Sequence, residues 1–261
     1  MAALVSPNLV HPHLLDADSL AQLAGLGVLR GTNTLAPNET VLSLDWPELE
    51  RVLPDRGLPR GVVEIASHIT KRGALAGVGG GATTIALSAI RAVHTAADAN
   101  GRAWCAWITE SSNACPLYAP AVVQAGVDLD RLLIVRPSPA DLARTVVKVA
   151  ASGAFDLVVV DAPMGLDGKL AISGSRAGAG NGGAKRAARV DGAVIVRKLA
   201  LAAEEKGTTF LLLTNVFTSR AVPWPVALRM EVERRPEAIA VRITKDRRGR
   251  SSSQHVVRVA C

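Results

Sequence analysis

The sequence predicts an α/β protein: a doubly wound, mostly parallel sheet flanked by helices, with an antiparallel extension at its C-terminal end. Three observations predict it. Apolar runs of strand length alternate with helix-length segments from about residue 57 to residue 215, and strands joined through helices pair in parallel with right-handed connections. After Pro225 the helices stop, and three β-rich runs follow one another through short basic turns, the pattern of an antiparallel meander. Of the 261 residues 49% are hydrophobic but only 3% aromatic, so the core must be built from Val, Leu, Ile and Ala, as in helix-covered parallel sheets.

Asp18 or Ser19 caps a short helix that places Leu20, Leu23 and Leu26 on one face, and Gly25 and Gly27 close it. A Pro- and Thr-rich connector follows, giving an N-terminal helical segment and linker over 1–56 and a core domain over 57–261. Within the core the apolar periodicity predicts strands at 61–66, 103–109, 131–135, 156–161 and 208–215. Helices are predicted at 83–97, 117–125, about 139–152 and, as one long element, 185–206. The meander strands are expected at 226–233, 238–244 and 254–259. Between residues 161 and 185, seven glycines together with Lys169 and Arg176 make a segment too flexible and polar to pack, and a mobile loop is expected.

Several function classes are excluded or left without support. No apolar run reaches the roughly 18–20 residues that span a bilayer, and the N-terminal stretch lacks a basic n-region and is broken by Pro7 and Pro12, so a cytoplasmic protein with no membrane partner is expected. Cys105, Cys115 and Cys261 match no zinc or redox spacing, and the five histidines are scattered, so no metal site is expected. A net charge of +7 and a pI near 9.8 permit a polyanionic partner without requiring one.

The most informative stretch is 73–87, GALAGVGGGATTIAL. A phosphate-binding loop follows GxxxxGK[ST], in which backbone N–H groups cradle the phosphates, the lysine reaches the β- and γ-phosphates and the hydroxyl binds Mg²⁺. Here Gly77, Gly79, Gly80, Gly81, Thr83 and Thr84 keep the frame, but Ala82 stands at the lysine position and Ala76 at the first glycine. Alone, such a stretch also reads as an ordinary Gly-rich turn.

Its neighbours give it meaning. Residues 57–65, GLPRGVVEI, resemble the segment that introduces the first core strand of RecA-type recombinases, directly before their phosphate-binding loop. Cys105-Ala106-Trp107-Ile108, Pro116-Leu117-Tyr118-Ala119 and the run 126–133 are similar to the second-strand region of that family, and 155–161, FDLVVVD, resembles its Walker B strand, ending on Asp161. The Gly-rich segment and the strand into Asn215 stand where the family carries and approaches its two DNA-binding loops. The resemblance covers about 57–250 and implies a RecA-like fold.

The departures from the family matter as much. Besides the missing lysine, Ser111 replaces the glutamate that activates water, with Glu110 one residue away and so aimed elsewhere, and Val216 replaces the glutamine that senses the γ-phosphate. Phosphoryl transfer depends on such positioning and charge-stabilising groups, so ATP hydrolysis is not expected. Asp161 through water and Thr83 through its hydroxyl retain groups able to hold Mg²⁺, yet Asp161 reads equally as a strand-end carboxylate capping the next turn. His68, Lys71 and Arg72, in the segment before Gly81, are the candidate substitute cations. Neither ATP nor Mg²⁺ is expected as a working cofactor.

Candidate binding residues lie elsewhere. Lys169, Arg176, Lys185, Arg186 and Arg189 form a cationic arm suited to a phosphate backbone, or else a solvated connection. Lys245, Arg247, Arg248 and Arg250 sit at the expected tip of the last hairpin, where they resemble the basic turn by which RecA-type subunits touch a neighbour's nucleotide; they also suit an edge guarded against aggregation. Trp224, between Pro223 and Pro225, reads either as a stacking or interface anchor or as a tucked core residue.

A RecA-like chain without its ATPase groups, with a short N-terminal helical region and no long C-terminal domain, is most similar to the ImuA family of accessory proteins. That resemblance implies a non-catalytic role in the SOS response and translesion synthesis, with RecA, the polymerase-like adaptor ImuB and an error-prone polymerase as partners, and DNA as a further one. The alternatives are an ATP-dependent RecA-type recombinase or ATPase, and a DNA-binding RecA paralogue with no polymerase partner.

Overall fold

The computed structural model describes residues 41–67, 81–98, 103–113, 117–163, 166, 168–169, 189–218 and 224–259. The helix expected near residues 18–27 lies outside them. In chain order the elements are α1 (Pro47–Val52), β1 (Val62–Ser67), α2 (Ala82–Asp98), β2 (Cys105–Thr109), α3 (Ala119–Gln124), β3 (Leu132–Val135), α4 (Leu142–Ser152), β4 (Leu157–Asp161), β5 (Gly168–Lys169), β6 (Arg189–Val190), α5 (Gly192–Lys206), β7 (Thr209–Asn215), β8 (Leu228–Arg235), β9 (Ala238–Asp246) and β10 (His255–Arg258).

Eight strands form one sheet in the order β10-β9-β8-β1-β7-β4-β2-β3. Pairing is parallel from β8 through β1, β7, β4 and β2 to β3, and antiparallel from β8 to β9 and β10. The expected mixed architecture is therefore present, with β8 as the strand that joins its two halves. β1 and β2 are buried along their whole length, as are all but the last residues of β4 and β7, which explains their unbroken apolar runs.

The alternation of side chains along each strand divides the core into two layers. On one face Val63, Ile65, Trp107, Val159 and Leu211 pack with Ile85, Ala89 and Ile90 of α2 and with Leu44, Leu49 and Leu53 around α1. On the other, Val62, Ile108, Val160, Phe210 and Leu212 pack with Val146 of α4 and with Ile195, Val196 and Leu199 of α5.

Two boundaries differ from the sequence expectation. The stretch before residue 57 is not only a connector: it carries α1, contributes Leu44, Leu49 and Leu53 to the core, and pairs Leu42 with Leu58. The compact unit accordingly runs Glu39–Cys261. The long helix expected from residue 185 begins at Gly192, because the Asp191 carboxylate accepts the Ala193 N–H and caps the first turn. Arg189 and Val190 instead pair with Lys169 and Gly168 as a short antiparallel ribbon at the base of the Gly-rich segment.

Candidate functional site

In open parallel sheets ligands sit beyond the C-terminal ends of the strands, and here β1, β2, β4 and β7 end together. The turn from β1 into α2 carries the degenerate phosphate-loop residues. Gly77, Gly79 and Gly80 lie outside the described residues, as do His68, Lys71 and Arg72. Gly81 adopts φ +91°, and a Cβ there would meet Ile239 Cγ2 at 2.9 Å, so only glycine fits. Ala82 opens α2 and is 4% exposed, packed into the first core layer. Thr83 and Thr84 are half-buried.

A cation does reach this point, from the C-terminal end of β8. Arg234 Nη1 donates to Thr84 Oγ1 at 3.4 Å. Sequence reasoning missed Arg234, because only the β8–β1 pairing brings it beside a helix 150 residues away.

Asp161, at the end of β4, is held by neighbours. Its Oδ2 accepts the Thr109 hydroxyl at 3.3 Å and the Asn113 amide at 3.2 Å, and that amide also donates to Thr109 Oγ1 at 3.0 Å. Burial pushes the Asp161 carboxyl up to about 6, the Glu110 charge adds to the rise, and the two hydrogen bonds oppose it. Ser111 is exposed, and its N–H donates to Pro137 O at 2.8 Å, while Arg136 Nη2 donates to Ser111 O and Asn113 O at 3.2 and 3.3 Å. Glu110 accepts the Ser112 hydroxyl at 3.1 Å. The Val216 N–H donates to Ser67 O at 3.1 Å, closing the gap between β7 and β1.

A second polar cluster lies within the sheet. Glu64, on β1, is fully buried. The Thr214 hydroxyl donates to its Oε1 at 2.7 Å, the Trp224 indole N–H to its Oε2 at 2.9 Å, and Arg229 Nε stands 3.3 Å from Oε2. Arg229 continues to Glu231 at 3.0 Å, and Glu231 to Arg242. One carboxylate thus grips both ends of the β7–β8 connection, at Thr214 and Trp224. A lone acid inside the apolar run 62–66 was the available signal, since a buried carboxylate requires partners; which partners was not readable.

The basic residues of the last hairpin are largely engaged within the chain. Lys245 donates its ammonium to the Trp224 carbonyl, and burial lowers its pKa. Arg248 pairs with Asp55 at 3.0 Å; Arg250 pairs with Asp55 at 2.9 Å and with Asp246 at 2.7 Å. The hydrogen bond from Arg250 holds the Asp55 carboxyl below the usual carboxylate range. Arg247 is half-buried, and burial lowers its pKa. Lys245, Arg248 and Arg250 thus brace the hairpin against residues 54–55 and the Trp224 backbone. The partly buried Trp224 ring packs against the second core layer, and its N–H donates to Glu64.

In the cationic arm, Lys169 and Arg189 are register partners in the β5–β6 ribbon, whereas Arg176, Lys185 and Arg186 lie outside the described residues. Among the described residues no group of three His, Cys, Asp or Glu gathers to hold a metal, and no helix is long and apolar enough to cross a membrane. A family model described as the RecA N-terminal domain matches residues 48–221. No curated protein matches the chain.

Proposed function

We propose that this chain, which belongs to the RecA N-terminal domain family, is a non-catalytic accessory protein of translesion DNA synthesis and SOS mutagenesis that works by binding, in the manner of ImuA. The observation that supports this reading best is the condition of the strand ends. Ala82 is packed in the core where the family's lysine would meet phosphate, and the Asp161 carboxylate is committed to the Thr109 hydroxyl and the Asn113 amide. Phosphoryl transfer asks for cations and a metal-binding carboxylate already in place. These residues do not fit a hydrolysable Mg²⁺–nucleotide.

The protein acts in the cytoplasm on RecA, on the ImuB adaptor, or on both, within a complex that includes an error-prone polymerase. It retains a RecA-like surface without a nucleotide switch, so it caps or blocks a RecA filament by offering an interface that does not cycle. Pull-down with purified RecA and ImuB, paired with a filament-disassembly assay, tests this. Association with at least one partner and accelerated loss of filaments are expected; association with neither refutes the reading.

One observation favours a second reading. Arg234 brings a guanidinium to the start of α2, where it is able to substitute for the missing lysine in an ATP-dependent recombinase or ATPase. Turnover well above background that Arg234→Ala and Asp161→Asn both abolish would establish that reading over the first.

A further inference from the structure

We propose that the outer face of α4 and α5 receives an acidic amphipathic helix of a protein partner, an inference that rests on the partner-binding reading above. Ile195, Val196, Leu199 and Ala203 turn α5 toward the core. At roughly 100° per residue, the line opposite them carries Val194 and Leu201, two turns apart and 48% and 60% exposed. Large aliphatics of such a helix ordinarily lie on its buried stripe. Here two of them stand at the points farthest from it.

The charges around that line are of one sign. Arg197 and Lys198 flank it on either side, and both are exposed. α4 packs beside α5 in the same core layer, and their C-terminal ends meet, since a Cβ on Gly153 would fall 3.1 Å from Lys206 Cδ. Both helices return between parallel strands and so run in the same direction. Counting back equally from that junction puts exposed Arg144 level with Arg197, and exposed Lys148 level with Leu201. Among the described residues none of these four cations has a side-chain hydrogen bond or ion pair. Neither α4 nor α5 up to Ala203 holds an acid.

Charge complementarity selects the occupant. Carboxylates spaced along one helix would reach Arg144, Lys148, Arg197 and Lys198, while apolar side chains of the same helix cover Val194 and Leu201. A nucleic-acid strand would pair with the cations but would lay phosphates against the aliphatic line. It would also meet Glu204 and Glu205, exposed one turn beyond Leu201. Lys206 pairs with Glu205 at 2.6 Å, whereas Glu204 has no ion pair among the described residues. For a peptide helix these carboxylates set a direction instead: its acidic stretch lies over residues 194–198, and a lysine or arginine falls at 204–205.

The test is a titration of the full-length protein, as wild type, Leu201→Ser and the double variant Arg197→Glu/Lys198→Glu, against purified RecA, purified ImuB and a fluorescent oligo-dT. Because all three side chains are exposed, both variants are expected to keep the wild-type melting temperature while weakening the protein complex about tenfold or more. Raising the salt concentration is expected to weaken the wild-type complex and to leave that of the charge-reversed variant nearly unchanged. Wild-type affinity in either variant would overturn the inference and leave the partner-binding reading standing. Weakened oligo-dT binding with the protein complex intact would overturn it in favour of a phosphate backbone. No binding of wild type to either protein would defeat both.

Discussion

Asp161→Asn separates a structural carboxyl from a metal-binding one. Burial raises the folded carboxyl from 3.8 to about 6, so between those values the folded state holds a proton that the unfolded state has released. Its contribution is fully present below about pH 4 and is lost as pH rises through about 6. Above that point, keeping Asp161 ionised in the fold costs up to about 3 kcal/mol. Asparagine keeps an oxygen for Thr109 and Asn113 without the charge. Urea denaturation should therefore find the variant equal to wild type near pH 4 and more stable by about 1–3 kcal/mol at pH 7.5, with millimolar Mg²⁺ changing neither protein. A variant less stable than wild type at pH 7.5, or a wild type stabilised by Mg²⁺, would refute the reasoning, because either result means that the negative charge is in use.

Trp224→Phe preserves the ring but removes the N–H that satisfies Glu64 Oε2; a loss of about 1–3 kcal/mol is expected in urea denaturation, and an unchanged midpoint would show that the clamp is idle. Gly81→Val combines φ +91° with a Cβ only 2.9 Å from Ile239 Cγ2 and should cost about 2 kcal/mol or more, read as a lowered melting temperature; an unaltered one would contradict the close packing described at this turn. Asp55→Asn removes the carboxylate that pairs with Arg248 and Arg250, leaving Arg250 with Asp246. Because these pairs are partly exposed, the stability change should not exceed about 1 kcal/mol, but elution from heparin should move to higher salt. Elution at the wild-type salt concentration would mean that the pairs do not restrain those cations.

What was legible in the sequence was whatever local pattern decides. The runs ending in Thr109, Asp161 and Asn215 read as buried strands because both of their faces are apolar, and the helices between them forced parallel pairing. The start of α5 was misplaced although Asp191, its cap, was in plain view: the alanines and basic residues before it favour helix when summed over a window, and the cap prevails in the fold. The site's character depended on partners far apart in the chain. Arg250 meets Asp55 across 195 residues, and Trp224 meets Glu64 across 160. These contacts, which brace the hairpin and the Trp224 turn, were therefore not readable from local sequence. Arg234 escaped notice for the same reason, since the β8–β1 pairing that carries it to α2 leaves no local trace.

The central claim is that the chain acts by binding a protein partner without a nucleotide switch. Calorimetric titration of the full-length protein into ImuB, with ATP and Mg²⁺ present and then absent, tests it most directly. The account predicts a saturable complex whose Kd is the same within about twofold in both conditions, well under the roughly tenfold change that a 1.4 kcal/mol nucleotide coupling would produce. A complex that forms only with ATP, or no complex in either condition, would contradict it.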